Sequence, residues 1–377
     1  MLRRGPKDGR EGCAAVRKRT GHTRDGRRGS DRREGITGTT MSGIPYITGQ
    51  DFGERFSQRL SGDRFPLSGQ WEITCRCNLR CVMCYTDCFN TPEMIQQELS
   101  FPEITRIMDE IQEAGCLELC LTGGEPLARK DFLDIYASAK QKGFLVTVFT
   151  NGTLLTEKIA DYWRQYPPSM IEISLHGLGK DSFERITQGA GSYARCLAGI
   201  RLILERQLPL TLKTTGMTLN QDEVLRIKEY VAGLGREYSA KVQYKFGSDI
   251  RPRLDGSEDV YDYQLQAEQV HAIEQADFEF RAERATQHSQ MEERVRQGRS
   301  LCWGGHRKFH IDAYGQLQLC SNNRRQSYDL RHGSFKEGFY ELLPQFPCPA
   351  RHPEPEPELV SIDEIEKVRE PRLTIHD

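Results

Sequence analysis

No apolar run in this chain approaches the roughly 20 residues that cross a bilayer, and the greasiest segments, such as Phe144 to Phe149, have only strand length. A membrane-spanning protein is therefore not expected. Twelve cysteines in 377 residues are too sparse for a disulfide scaffold. Nothing at the N-terminus joins an apolar core to a small-residue cleavage site, so a reducing cytoplasm is the expected compartment, where clustered cysteines point to metal or redox chemistry. The net charge of −2 lacks the basic excess that would favour a nucleic-acid partner. What the chain does have is length, enough for a catalytic domain and a smaller appended one.

Residues 1–40 contain twelve Lys or Arg against five Asp or Glu and almost no apolar periodicity, so they cannot bury enough surface to offset ordering entropy. They are expected to be disordered, and Met41 reads as an ordinary start, with an over-extended reading frame preferred to a basic docking arm. Residues 41–69 form a lead-in. Across 70–250, short strand-like runs alternate with amphipathic helices, which predicts a parallel α/β arrangement. The strands read Trp71–Thr74, Leu117–Leu121, Leu145–Phe149, Ile171–Leu175, Leu210–Thr214 and Val242–Phe246. Capping boxes are expected at Ser100 with Glu103 and at Asn220 with Glu223. Ile104, Ile107, Met108 and Ile111 then fall at helical spacing and predict a core-facing stripe. Residues 251–300 are charged and helix-prone, 301–348 form a Gly- and Cys-containing module, and 349–377 are a Pro/Glu-rich tail expected to be extended.

Residues 75–88 hold five cysteines, of which Cys77, Cys81 and Cys84 have the spacing C-x3-C-x2-C just after the first strand. Three thiolates from one loop can hold three irons of a cubane and leave the fourth open to a ligand. Four of Cys75, Cys77, Cys81, Cys84 and Cys88 could instead make a tetrahedral zinc site. Cys75 and Cys88 lie outside the triad spacing and are expected to pack.

The run Cys77-Asn-Leu-Arg-Cys81-Val-Met-Cys84-Tyr85 resembles the signature loop of the radical S-adenosylmethionine (radical SAM) superfamily, and Gly123-Gly124-Glu125-Pro126 resembles that family's GGEP motif. The resemblance implies an α/β fold, a partial (β/α)6 TIM-like barrel. It also implies a [4Fe–4S] cluster on the three cysteines, S-adenosylmethionine on the open iron, and reductive cleavage to a 5′-deoxyadenosyl radical. The GGEP carbonyls, with Glu125, would hold the methionine amino group. Ser174 and Arg185, and Asn151 likewise, would hold its carboxylate or the ribose. Met83 and Tyr85 would contact adenine. His176 stands where related enzymes often carry Asp, which weakens any catalytic role there; an Asn-Gly turn and a strand-end Ser are also ordinary structural features.

Cys302 and Cys320, with Gly304-Gly305 and Gly315 between them, resemble the start of a SPASM or twitch domain. Only Cys348 follows, so the module reads as a shortened one with at most one auxiliary [4Fe–4S] cluster on Cys302, Cys320 and Cys348. Its fourth ligand would be a non-Cys side chain, another thiol such as Cys13, or substrate. Alternatively these cysteines pack around a hairpin of Lys308–Asp312 with Gln316–Leu319. Cys116, Cys120 and Cys196 are expected to be apolar packing residues. The function expected from the resemblance is modification of a ribosomally made peptide or protein, with an electron donor such as flavodoxin or ferredoxin. Radical oxidation or rearrangement of a small molecule is the alternative, and a noncatalytic iron–sulfur protein the third reading.

Overall fold

In the computed structural model, the described residues are 64–86, 90–297 and 302–348. The expectations for residues 1–40, Cys13, Cys88, most of 41–69 and the tail from 349 lie outside them. The chain divides into two units, 1–61 and 62–377, and every described residue belongs to the second.

Six parallel strands follow one another in space as they do in sequence: β1 (Ser68–Glu72), β2 (Glu118–Thr122), β3 (Leu145–Thr150), β4 (Met170–Ser174), β5 (Leu210–Thr215) and β6 (Val242–Gly247). Each neighbouring pair is joined by a helical crossover, the connection a parallel pair requires. This is a partial TIM-like barrel. The predicted strands are all present, with ends displaced by a residue or two except at β1, which starts three residues earlier than expected.

Alternation along the strands separates two faces. Ile73, Leu119, Leu121, Val146, Val148, Ile171, Ile173 and Leu212 point outward and are buried beneath the helices. Ile104, Ile107, Met108 and Ile111 of the helix Phe101–Glu113 are fully buried against them, as their spacing predicts. Burial of each is worth about 1.5–3 kcal/mol. At the start of that helix, the Glu103 carboxylate accepts from both the Ser100 backbone N–H (2.7 Å) and its hydroxyl (2.6 Å). The second expected cap does not form. The Asn220 side chain is instead turned into the fold, where its amide donates to the carbonyls of His176 (2.8 Å) and Thr215 (3.0 Å) and its oxygen accepts from Met217 N–H.

The C-terminal strands continue the same sheet. β7 (Lys308–Ile311) lies parallel to β1, with Trp71 opposite Ile311, and β8 (Gln316–Gln318) and β9 (Tyr328–Asp329) follow antiparallel. A hairpin was expected here; its parallel docking on β1 was not. Phe309 closes over Gly69, where a Cβ would stand 2.3 Å from the ring, and packs with Phe335 and Phe339. Among the described residues no helix is long and apolar enough to cross a membrane.

Candidate active site

Strand C-termini collect functional loops in such barrels, and the loop after β1 carries the cysteines. It is fastened by both backbone and side-chain hydrogen bonds. Arg80 N–H donates to Thr187 O and Val82 N–H to Ile186 O, at 3.0 and 2.9 Å. Arg253, beyond β6, donates to Cys84 O (2.9 Å) and Val82 O (3.2 Å), and Leu254 N–H donates to Tyr85 O. At the loop's start, Glu98 accepts from the Thr74 hydroxyl, Cys75 N–H and the Arg76 guanidinium within 2.9 Å. Val82 and Met83 pack beside Ile186, Met217, Ile250 and Val260.

Cys77, Cys81 and Cys84 line one cavity of about 490 Å³, together with Met83, Tyr85, Gly123, Gly124, Asn151 and Ser174. The Cys77 sulfur accepts from Leu79 N–H at 3.4 Å and lies 3.8 Å from Asn151 Nδ2; Cys84 Sγ is 3.1 Å from the Thr86 hydroxyl. The Leu79 N–H at the Cys77 sulfur is the kind of contact that orients a cluster-binding thiolate. Cys75 does not line the cavity. Burial, with Glu72 nearby, pushes its thiol up to about 12. Among the described residues, no three His, Cys, Asp or Glu side chains meet at one ion-sized position, the arrangement a mononuclear zinc centre needs.

Gly123 and Gly124 serve the cysteine loop directly. A Cβ on Gly123 (φ +151°) would lie 2.2 Å from Thr74 O, and one on Gly124 2.5 Å from Arg76 O. Their absence lets Gly124 N–H donate to Thr74 O (2.9 Å) and Glu125 N–H to Arg76 O (2.7 Å). The close backbone approach at these glycines is therefore made to the cysteine loop. Glu125 is fully buried and does not line the cavity. Its carboxylate accepts from the Thr150 hydroxyl (2.7 Å), Asn151 N–H (2.6 Å) and Leu127 N–H (3.1 Å), which ties the ends of β2 and β3 together. Burial outweighs these donors and lifts its carboxyl to about 7. Pro126 is buried beside it.

Asn151 is held by Asn78, to whose oxygen its amide donates at 3.0 Å. His176 lines the cavity and accepts from Thr215 N–H at 3.3 Å; burial, then the charge of Lys213, lowers its pKa to about 4, so the ring is neutral near pH 7. Arg185 does not reach the cavity, because its guanidinium donates to Leu219 O at 3.0 Å on the exposed side of its helix.

The sequence reading missed Glu172, Lys213, Thr215, Asp249, Arg251 and Ser321, all of which line the cavity. Strand parity could have found the first three, since Glu172 and Ser174 share one face of β4. Arg251 and Ser321 come from irregular segments with no such signal. Tyr85 lies under two guanidiniums, Arg324 at 5.2 Å and Arg251 at 5.9 Å from the ring centre. Arg324 also pairs with Glu72, buried at the end of β1. Burial alone would raise the Glu72 carboxyl, but His310 and Arg324 outweigh it and hold the pKa at about 2.

In the C-terminal segment, Cys302 and Cys320 flank Gly304, where a Cβ would stand 3.4 Å from Cys302 Sγ and 3.6 Å from Cys320 Cβ. Cys320 pairs with Asn323, whose amide donates to Pro347 O next to Cys348. The three cysteines thus lie in connected segments, and the sulfur of Cys302 accepts from Gly304 N–H at 3.2 Å.

The model of the radical SAM superfamily matches residues 71–231. An AdoMet-dependent heme synthase of Methanosarcina barkeri is 32% identical over 165 residues, 44% of this chain and 47% of the relative. A PqqA peptide cyclase of Granulibacter bethesdensis is 33% identical over 184 residues, 48% of each protein. The chain thus spans about half the length of the curated relatives it matches. The solved structure of native anSMEcpe with bound AdoMet and Cp18Cys peptide superposes with a TM-score of 0.54 over 73% of this chain and 80% of that one, at 16% identity, a likeness of fold. Residues 71–231 thus form a radical SAM domain, of the superfamily whose cofactors are a [4Fe–4S] cluster and S-adenosylmethionine.

Proposed function

We propose that the chain is a radical SAM enzyme that modifies a ribosomally made peptide or protein in a reducing cytoplasm. The observation that carries the enzymatic reading is the single cavity into which Cys77, Cys81, Cys84, Gly123, Gly124, Asn151 and Ser174 all open. When bound, the cluster supplies the electron that breaks a sulfonium C–S bond of S-adenosylmethionine and yields the 5′-deoxyadenosyl radical. The protein's part is to hold and orient. Cys77, Cys81 and Cys84 bind the cluster and leave one iron open. Carbonyls at Gly123 and Gly124 accept from the methionine ammonium, and Ser174 and Asn151 donate to the carboxylate or ribose. Glu125 acts through Asn151, whose backbone it fixes, and Arg185 is not needed. Met83 and Tyr85 border the adenine, with Tyr85 steadied by Arg251 and Arg324.

Cys302, Cys320 and Cys348 would hold one auxiliary [4Fe–4S] cluster, and an electron donor such as flavodoxin or ferredoxin would reduce the protein. The peptide reading is supported by the similarity to a PqqA peptide cyclase. Similarity to a heme synthase favours a small-molecule substrate as the second reading. Anaerobically reconstituted protein with reductant and S-adenosylmethionine should release 5′-deoxyadenosine. Coexpression with short peptides encoded nearby should then change a peptide's intact mass, for example by loss of two hydrogens. Absence of 5′-deoxyadenosine would overturn the enzymatic reading. Its stimulation by a small metabolite, with no peptide changed in mass, would overturn the peptide reading.

A further inference from the structure

The inner wall of the barrel carries a charge arrangement that folding alone disfavours. On β4, β5 and β6, Ser174, Lys213 and Lys245 stand side by side in register. Two ammoniums directly opposite on neighbouring strands repel. The nearly buried Glu172 offsets this, with Lys245 Nζ at 2.9 Å from one carboxylate oxygen and Lys213 Nζ at 3.7 Å from the other. One carboxylate does not neutralise two lysines, so this wall keeps a net positive charge. The lysine side chains remain 43% and 55% exposed, and each ammonium has three N–H donors, of which Glu172 takes at most one. The facing wall contributes Gln70, Thr122 and Phe149, none of them charged, while Asp249 and Arg251 face the cavity from the segment after β6. TIM-type barrels usually fill such inward positions with branched apolar side chains. A local conflict of this kind marks a site that serves something other than stability.

We propose that Lys213 and Lys245, held apart and aimed by Glu172, form a carboxylate-binding subsite for the substrate: an Asp or Glu side chain, or the terminal carboxylate, of the modified peptide. This rests on the proposed peptide substrate and names the group by which it is held. Glu172 is a positioning residue, since it acts only through the two ammoniums.

The methionine carboxylate of the cofactor is the other source of the same chemistry, because Ser174 adjoins Lys213. Biosynthetic 13Cε-lysine labelling leaves all three N–H donors of each ammonium in place, and Lys213→Arg and Lys245→Arg assign the two signals in the full-length, cluster-loaded protein without reductant. The probes are acetyl-Ala-Glu-Ala-amide, its Gln counterpart, glutarate and S-adenosylmethionine. The Glu peptide should shift both signals saturably and the Gln peptide should bind at least tenfold more weakly. Lys245→Gln should weaken the Glu peptide about tenfold, the scale of one charge-assisted hydrogen bond, and Lys245→Arg should restore it. S-adenosylmethionine should leave the Lys245 signal in place. If S-adenosylmethionine moves both signals and blocks the Glu peptide, the subsite belongs to the cofactor and the proposal fails. It fails equally if no carboxylate shifts either signal. Binding of glutarate without binding of any peptide would keep the carboxylate subsite and sink the peptide reading instead.

Discussion

Replacing Glu125 by Gln separates the two forces on the most deeply buried carboxyl near the site. Glu125 is fully buried, and its pKa of about 7 stands against an ordinary 4.5 in the unfolded protein. A carboxyl whose pKa is raised on folding binds more protons folded than unfolded between those values. Its contribution to stability is therefore complete below pH 4.5 and lost as the pH rises through 7. At about 1.4 kcal/mol per pH unit, the loss is about 3 kcal/mol. Gln keeps the shape and an acceptor for Thr150 and Leu127, but turns an NH2 toward Asn151 N–H, where Glu125 accepts at 2.6 Å. That unsatisfied donor costs about 1–3 kcal/mol. Glu125→Gln should therefore be less stable than the parent at pH 5, and the gap should close or reverse by pH 8. Urea denaturation of both proteins at several pH values measures the difference, and all other titrations cancel in the subtraction. A difference independent of pH would refute the reasoning, because it would mean that the three donors, and not burial, set the ionisation of Glu125.

Four further outcomes are expected. Cys77→Ala, Cys81→Ala or Cys84→Ala should each abolish S-adenosylmethionine cleavage and lower bound iron, whereas Cys75→Ala should keep both; iron analysis and 5′-deoxyadenosine release report this. Gly124→Ala puts a methyl 2.5 Å from Arg76 O, so the cysteine loop must shift, and bound iron should fall although no ligand is removed. Arg324→Met leaves the buried Glu72 carboxylate with His310 beside it but no guanidinium, and should cost up to about 3–5 kcal/mol by thermal or chemical denaturation. Because the pKa of Glu72 is lowered to about 2 on folding, its contribution is present above pH 4.5 and lost as the pH falls toward 2, so the penalty should shrink in acid. Cys302→Ala combined with Cys320→Ala should reduce iron from about eight to about four per protein molecule; four in the unaltered protein would show that the auxiliary cluster does not form.

The six strands, the helix stripe Ile104–Ile111 and the cysteine triad were legible in the amino-acid sequence because each is a local pattern, a period of two or 3.6 residues or a fixed spacing within one loop. The double glycine was legible as part of a motif, but what approaches it, the backbone of Thr74 and Arg76, depends on the parallel pairing of β1 and β2. Glu125 read as a ligand-facing acid, yet the turn after β2 directs it between strands, where Thr150 and Asn151 take both its oxygens. Asn220 has the spacing of a helix cap and is claimed instead by carbonyls at His176 and Thr215, because a buried amide makes the bonds its surroundings offer. Nothing near Arg324 in the sequence announces Glu72, 252 residues away, and nothing near Lys245 announces Glu172. Those pairings follow from strand register and from the docking of β7 on β1. Register is a relation between distant segments, set by which faces can be buried together. Local pattern therefore determined the elements and the ligand loop, and only the tertiary structure decided which charges meet.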